Sequence, residues 1–401
     1  MILVTERNHE LYKFVLSFSY RPAMSNKALV VLRSGKDIST AWLEELLKQR
    51  LKSNIEVISW ASKLPSTKNY FMSEMCFVQV TFKGPNHPSE ERSLVFKFAP
   101  TALDAIEFMK NGNLARKEID FYKFVLTDDF QLFCKKSGLK NPVPDVYWAD
   151  VEEDLVTLVM HDLRTDGFRV DTPPEGNSLE QVKVILNSIA VIHACGVATI
   201  KKHGREYLDV PSGDFLDNAV KIGLDREVEM FKGTRTAETL RALYSLRKEM
   251  IKTRSPLFET LIHGDLWTGN VMFSADSTSA VIIDWQFASV DNPVCDIISL
   301  LLMSSHPVVY EQHLNDVLQS YWQSLTEALE KNGASVDCTF QDLIDCVEEM
   351  WMYGFMFFTA SLPDLLDNNI TALHRGQNAV KFLEQKKVLS KFLQVHGKEM
   401  A

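Results

Sequence analysis

The chain has 401 residues, 46% hydrophobic and 24% charged, roughly two or three domains' worth of ordinary globular composition. Its net charge of −10, with a pI near 5.6, argues against nucleic acid or an anionic membrane as the main partner. No long apolar run free of charge predicts a membrane span, and six cysteines without a C-x-x-C pair or zinc spacing predict reduced, structural thiols and a cytoplasmic protein.

In chain order, the start MILVTERNHE has no basic n-region and Phe14–Tyr20 is a poor apolar core, so no signal peptide is expected. Residues 1–38 show no period and read as an N-terminal extension, with Met24 an alternative start. A helix is predicted to begin near Ser39, from the spacing of Leu43, Leu46, Leu47 and Leu51. Strands follow at Ile55–Trp60 and Met75–Phe82, then a loop holding Gly84, Pro85 and Pro88, then a strand at Ser93–Ala99. In that last strand Lys97 lies on the face opposite Leu94, Phe96 and Phe98; taken alone it reads as a snorkelling edge-strand lysine. A helix is expected over Leu114–Leu126, where Glu118 borders the apolar face of Ile119, Tyr122 and Leu126. Glu118 alone reads as a surface residue; paired with Lys97 it matches the Lys–Glu ion pair that serves nucleotide phosphates in kinases. Strands at Val146–Ala149 and Leu155–Met160, around the acidic turn Asp150–Asp154, complete a sheet of about five strands over residues 39–162.

The Gly- and Pro-rich segment His161–Asn177 reads as a connection between lobes. Ser178-Leu-Glu-Gln181 is a capping box opening a helix whose buried face holds Val182, Ile185, Ile189 and His193, the last read as a hydrogen-bonded core histidine. Helical periodicity then dominates residues 163–401. Trp351–Phe358 is dense in aromatics: a buried core helix, or a wall for an acceptor by cation–π or flat apolar contact. One interruption stands out within 261–286, where Val271–Phe273 and Ala280–Ile283 flank the polar turn Ser274–Ser279 as a β-hairpin. Pairing its strands brings together Asp265, Asn270 and Asp284, oxygen donors suited to a hard cation such as Mg²⁺. Asp265 and Asn270 are five residues apart, the interval between catalytic Asp and metal-binding Asn in the kinase catalytic loop.

HGDLWTGNVMF followed by VIIDWQFASVDNPVCDI resembles the CHK kinase-like group, which includes choline/ethanolamine-kinase-like and ecdysteroid kinase-like proteins, within the aminoglycoside-phosphotransferase and protein-kinase-like superfamily. SLVFKFAP, NLARKEIDFY, LVMHDL and IAVIHACGVAT agree in the same order, from about Trp42 to Ser305. The resemblance implies an α+β, two-lobed kinase-like fold, with a small antiparallel sheet and helix in the N-lobe (39–162) and a larger helical C-lobe (163–401). It implies ATP and Mg²⁺ as cofactors and a small-molecule alcohol as acceptor, ecdysteroid- or sterol-like or choline- or ethanolamine-like. Residue by residue, Lys97 would contact the nucleotide phosphates, steadied by Glu118. Asp265 would be the catalytic base, and Asn270 and Asp284 the metal ligands. Ser73 would cover the phosphates, Met160 and His161 would border the adenine, His263 would brace the loop and Asp296 would support it. Three departures accompany the match. The turn Asn69–Ser73 has no glycine, His161 stands where the group usually has Glu, and Trp285 replaces Phe before Gln286. Two other readings use the same residues: a pseudokinase acting as a nucleotide-binding or regulatory module, and a metal-dependent hydrolase built on His263, Asp265 and Asp284.

Overall fold

A long strand with alternating burial, and a second whose last residues are almost all buried, build the first layer. The computed structural model describes residues 29–65, 72–138, 141–209, 216–252, 255–366 and 370–396. Strands β1 (Glu56–Lys63), β2 (Glu74–Gly84), β3 (His87–Phe98), β4 (Val146–Glu152) and β5 (Leu155–His161) form an antiparallel sheet in the order β1-β2-β3-β5-β4. β3 is therefore central, and its Lys97 lies between cross-strand partners Met75 and Leu158 rather than on an edge. β3 also starts six residues before the Ser93 expected from sequence, because Gly84 pairs with His87 and shrinks the loop to a tight turn. Pro88 falls where the β2–β3 register is irregular, so its missing N–H breaks no ladder bond.

Helix α1 (Thr40–Leu51), capped by Ser39, lays Trp42, Leu43, Leu46 and Leu47 against Leu94, Phe96 and Phe98 on one sheet face. Leu32 and Ile38 join this core, and Thr157 of β5 bonds both the N–H (2.8 Å) and the carbonyl (3.1 Å) of Leu32. Residues 29–38 of the expected extension are thus part of the N-lobe, while 1–28, with Met24 and Phe14–Tyr20, lie outside the described residues. Three helices follow: α2 (Leu103–Gly112), α3 (Leu114–Val125) and α4 (Asp128–Ser137). α3 buries Ile119 and Tyr122 in the core that also holds Leu158 and Met160, so the sheet is covered on both sides.

The C-lobe is helical around a small β element. β6 (Arg169–Val170), β8 (Val271–Phe273) and β9 (Ala280–Ile282) pair in the order β6-β8-β9, and β7 (Thr260–Ile262) pairs with β10 (Ser289–Asp291). Its hub is α5 (Leu179–His203), opened by the Ser178–Gln181 capping box with both reciprocal bonds made (3.3 and 3.0 Å). Gly196 lets β7 approach: a Cβ there would lie 2.4 Å from Thr260 Oγ1. By length and composition α5 is apolar enough to cross a membrane, yet 67% of its most apolar window is buried inside the fold. Around it stand α6 (Leu216–Met230), α7 (Arg235–Leu243), α8 (Arg247–Ile251), α9 (Val294–Ser304), α10 (Pro307–Gln312) and α11 (Leu314–Lys331). The chain closes with α12 (Phe340–Glu349), α13 (Trp351–Leu366), α14 (Ile370–Gln385) and α15 (Val388–His396). The aromatic run Trp351–Phe358 is core, every large side chain in it buried. The whole is a two-lobed α+β fold: a five-stranded antiparallel sheet with helices, then a mainly helical lobe.

Candidate active site

Where the lobes meet, Lys97 is 6% exposed and Glu118 of α3 is 1% exposed. The Lys97 ammonium donates to Glu118 Oε1 and to Asp284 Oδ1, each at 2.7 Å. Burial alone would lower the Lys97 pKa, but Asp284 and Glu118 together hold it above its ordinary value. Burial pushes the Glu118 carboxyl up to about 7, against the pull of Lys97 and of the Trp285 backbone N–H. Asp284 follows β9 with φ of 65°, a left-handed conformation that Asp accepts more readily than most residues. Beneath it Trp285 stacks on Phe121 of α3, ring centroids 3.8 Å apart and planes within 7°. This stack ties the segment after the hairpin to the helix that carries Glu118. Phe121 was not singled out from sequence, although it lies one helical turn from Glu118 on the same helix.

The second half of the site is the loop between β7 and β8. Asp296 of α9, fully buried, accepts the backbone N–H groups of His263 (2.7 Å) and Gly264 (2.9 Å), and its Oδ2 is 3.2 Å from His193 Nε2. His193 in turn pairs with the Tyr321 hydroxyl at 2.8 Å. Gly264 has φ of 79°, and a Cβ would lie 2.4 Å from the Phe287 carbonyl, so glycine is required there. Burial lowers the His263 pKa and keeps the ring neutral. Its Nδ1 accepts the Asp265 N–H (3.2 Å), which leaves the proton on Nε2, donated to the Ile283 carbonyl at 3.0 Å. His263 thus bridges the loop to the end of β9. The half-buried Asp265 receives the Asn270 amide at its carbonyl (3.0 Å) and at Oδ2 (3.1 Å), while Asn270 accepts the Ile283 N–H at 2.9 Å.

The structure therefore brings Asp265 and Asn270 into direct contact, and sets Asp284 one residue beyond the Ile283–Asn270 bond and against Lys97. An Asn amide oxygen and an Asp carboxylate are hard donors. Among the described residues no three His, Cys, Asp or Glu side chains form a ready-made metal cage. The set thus fits a cation that takes few protein ligands and completes its shell with water and phosphate, as Mg²⁺ does. Met160 is buried in β5, and His161 closes that strand with Nε2 3.0 Å from Asp166 Oδ2. The half-buried Ser73 enters β2 beside Glu74, the partner of Phe98, near the Lys97 end of β3. Positions 69–71 of the expected phosphate turn lie outside the described residues. Met72 is described, its sulfur 3.9 Å from the amide of the buried Gln286.

Residues 67–334 match the model of the ecdysteroid kinase-like family. No curated protein matches the chain. Among solved structures it is similar to aminoglycoside 2′-phosphotransferase-IIIa, with 14% identity, 88% of this chain and 99% of that one covered, and a TM-score of 0.41. It is also similar to macrolide 2′-phosphotransferase type I, at 15% identity, 87% and 98% coverage and TM-score 0.40. The ethanolamine kinase of Plasmodium vivax aligns at 14% identity over 96% of this chain and 95% of its own, with a TM-score of 0.38.

Proposed function

The chain belongs to the ecdysteroid kinase-like family, and from that premise we propose that it is an ATP- and Mg²⁺-dependent phosphotransferase acting on a hydroxyl of a small molecule. The acceptor is an ecdysteroid- or sterol-like alcohol, or a choline- or ethanolamine-like one. The observation that carries the reading is the Lys97 ammonium shared at 2.7 Å between Glu118 and Asp284. A buried cation is held there by carboxylates from both lobes, where it can meet nucleotide phosphates.

In this reading Lys97 orients the phosphates and Glu118 fixes Lys97. Met160 and His161 border the adenine at the join between the lobes, and Ser73 lies against the phosphates. Asn270 and Asp284 hold Mg²⁺, which offsets phosphate charge when bound. Asp265, oriented by Asn270 and by the loop bonds of His263, accepts the proton as the acceptor oxygen bonds to the γ-phosphorus and ADP leaves. Positioning and fixed charge do most of the work, so Asp265 needs no unusual proton affinity. A reducing compartment such as the cytosol suits the six free cysteines.

The test is transfer from ATP·Mg²⁺ to a panel of sterol and amino alcohols, with Asp265→Asn beside wild type. Removing the base is expected to cost roughly 10²–10⁴-fold in kcat with ATP affinity retained. Near wild-type turnover by the variant overturns the assignment. ATP binding without transfer to any alcohol favours the nucleotide-binding module instead.

A further inference from the structure

Away from the ion cluster, a cavity of about 420 Å³ lies between α10 and α14, lined by Glu175, His306, Glu311, His374, Arg375 and Asn378. Its notable member is Arg375, whose Nε and Nη1 are buried and meet no hydrogen-bond acceptor. A guanidinium keeps its charge inside proteins, and buried donors are seldom left unmet. Burial also presses on this charge, holding the Arg375 pKa below its ordinary value. His306 supplies another donor. Its Nδ1 caps α10 by accepting the Val308 N–H at 3.3 Å, so the neutral ring carries its proton on Nε2. The two carboxylates, Glu175 and Glu311, belong to exposed residues, and neither forms an ion pair with Arg375 among the described residues. The cavity lining thus sets two carboxylates beside Arg375 and His306, a mixture that suits a ligand with an anionic group and a hydroxyl or amine beside it.

The cavity is joined to the candidate catalytic loop by a short chain of bonds. The Asn177 carbonyl accepts the His306 N–H at 2.9 Å, and the Asn177 N–H reaches the Ser304 carbonyl at 2.7 Å. Ser304 Oγ accepts the Thr268 N–H at 2.8 Å, and Thr268 lies between Asp265 and Asn270. The Asn177 side-chain amide in this chain of bonds is fully buried, with neither Oδ1 nor Nδ2 bonded.

We propose that this cavity is a binding site for an oxyanion (carboxylate, sulfate or phosphate monoester) on the acceptor, with Arg375 as its charge partner and His306 as a second donor. Assigning the oxyanion to the acceptor rests on the phosphotransferase reading; the site itself does not. The full chain, with ADP present to fill the nucleotide site, is titrated calorimetrically with acetate, inorganic sulfate and inorganic phosphate. Saturable binding of at least one is expected, and the ranking identifies the oxyanion. Arg375→Met is expected to weaken it roughly ten- to a hundredfold, Arg375→Lys less, and Asp265→Asn not at all. Absence of saturable binding by any of the three, or equal binding by wild type and the folded Arg375→Lys and Arg375→Met variants, overturns the proposal. Binding that depends on Arg375 in a chain that phosphorylates no alcohol upholds the site and sinks only the phosphotransferase reading. Transfer to neutral alcohols that is indifferent to an added oxyanion group, in both wild type and Arg375→Lys, removes the acceptor from the site.

Discussion

Lys97 reaches 187 positions along the chain to Asp284 and 21 to Glu118, whereas Asp265 is held by Asn270 five positions away and His263 two away. The first half of the site is an ion cluster assembled from two lobes, in which one buried cation, Lys97, is shared between the buried Glu118 and the partly exposed Asp284. The second is a loop whose backbone N–H groups and short side chains satisfy one another, with Asp296 as a buried anchor. Charge clusters of the first kind fail abruptly when one member is lost, because the remaining charges stay desolvated. Loops of the second kind lose one bond at a time.

Lys97→Met tests the first kind and carries the largest expected effect on stability. It leaves Glu118 buried without its cation, while Asp284, whose side chain is 32% exposed, recovers some hydration. A loss of about 3–5 kcal/mol is expected, read from urea midpoints, together with a fall in kcat of roughly 10²–10³. Adding Glu118→Gln should return part of the stability and none of the activity, since the double variant removes the stranded charge but not the need for a cation at the phosphates. If Lys97→Met is as stable as wild type, the cluster is not desolvated as described.

Asp296→Asn probes the second kind and is expected to do less. Asn keeps one acceptor oxygen for the two N–H groups of His263 and Gly264, so one bond is lost, and its amide meets His193. The expected cost is about 1–3 kcal/mol, with kcat lowered and KM for ATP unchanged, because the loop holding Asp265 loosens while the Lys97 cluster stands. A KM rise as large as the kcat loss would mean that the two halves are not separable.

The same contrast explains what the sequence disclosed. His263, Asp265 and Asn270 form a local run whose bonds follow from spacing, and the Ser178–Gln181 box is local too. Lys97 and Glu118 looked ordinary alone; what marks them is burial, which depends on β3 being central rather than an edge. Helix α2 has no capping signal, since Ala102 gives it no side-chain cap. Helix α4 does carry a start signal, Thr127 with Asp128 and Asp129 in the first turn. Two features had no sequence signal at all: the Phe121–Trp285 stack, and the unmet donors of Arg375, which arise only where α10 and α14 meet.

Glu118 and Glu227 sharpen the comparison furthest, since both are buried helical carboxyls and differ in whether a cation faces them. Glu227 of α6 is fully buried, accepts the Thr359 hydroxyl at 3.0 Å, and leaves Oε2 without a partner. Burial lifts its carboxyl to about 8 from an ordinary 4.5, opposed only by the Thr359 bond. With the folded value above the unfolded one, the native state holds the proton more tightly. Its contribution to stability is therefore complete below the unfolded value and is lost as pH rises through the folded one. Glu227→Gln keeps the hydroxyl's acceptor and removes the ionisation. Wild type should lose stability between about pH 5 and 8, and the variant should lose less, ending the more stable of the two at the alkaline end. Parallel urea midpoints for both proteins across that range would mean that Glu227 is already ionised when folded, with a counter-charge the helix pair must then supply.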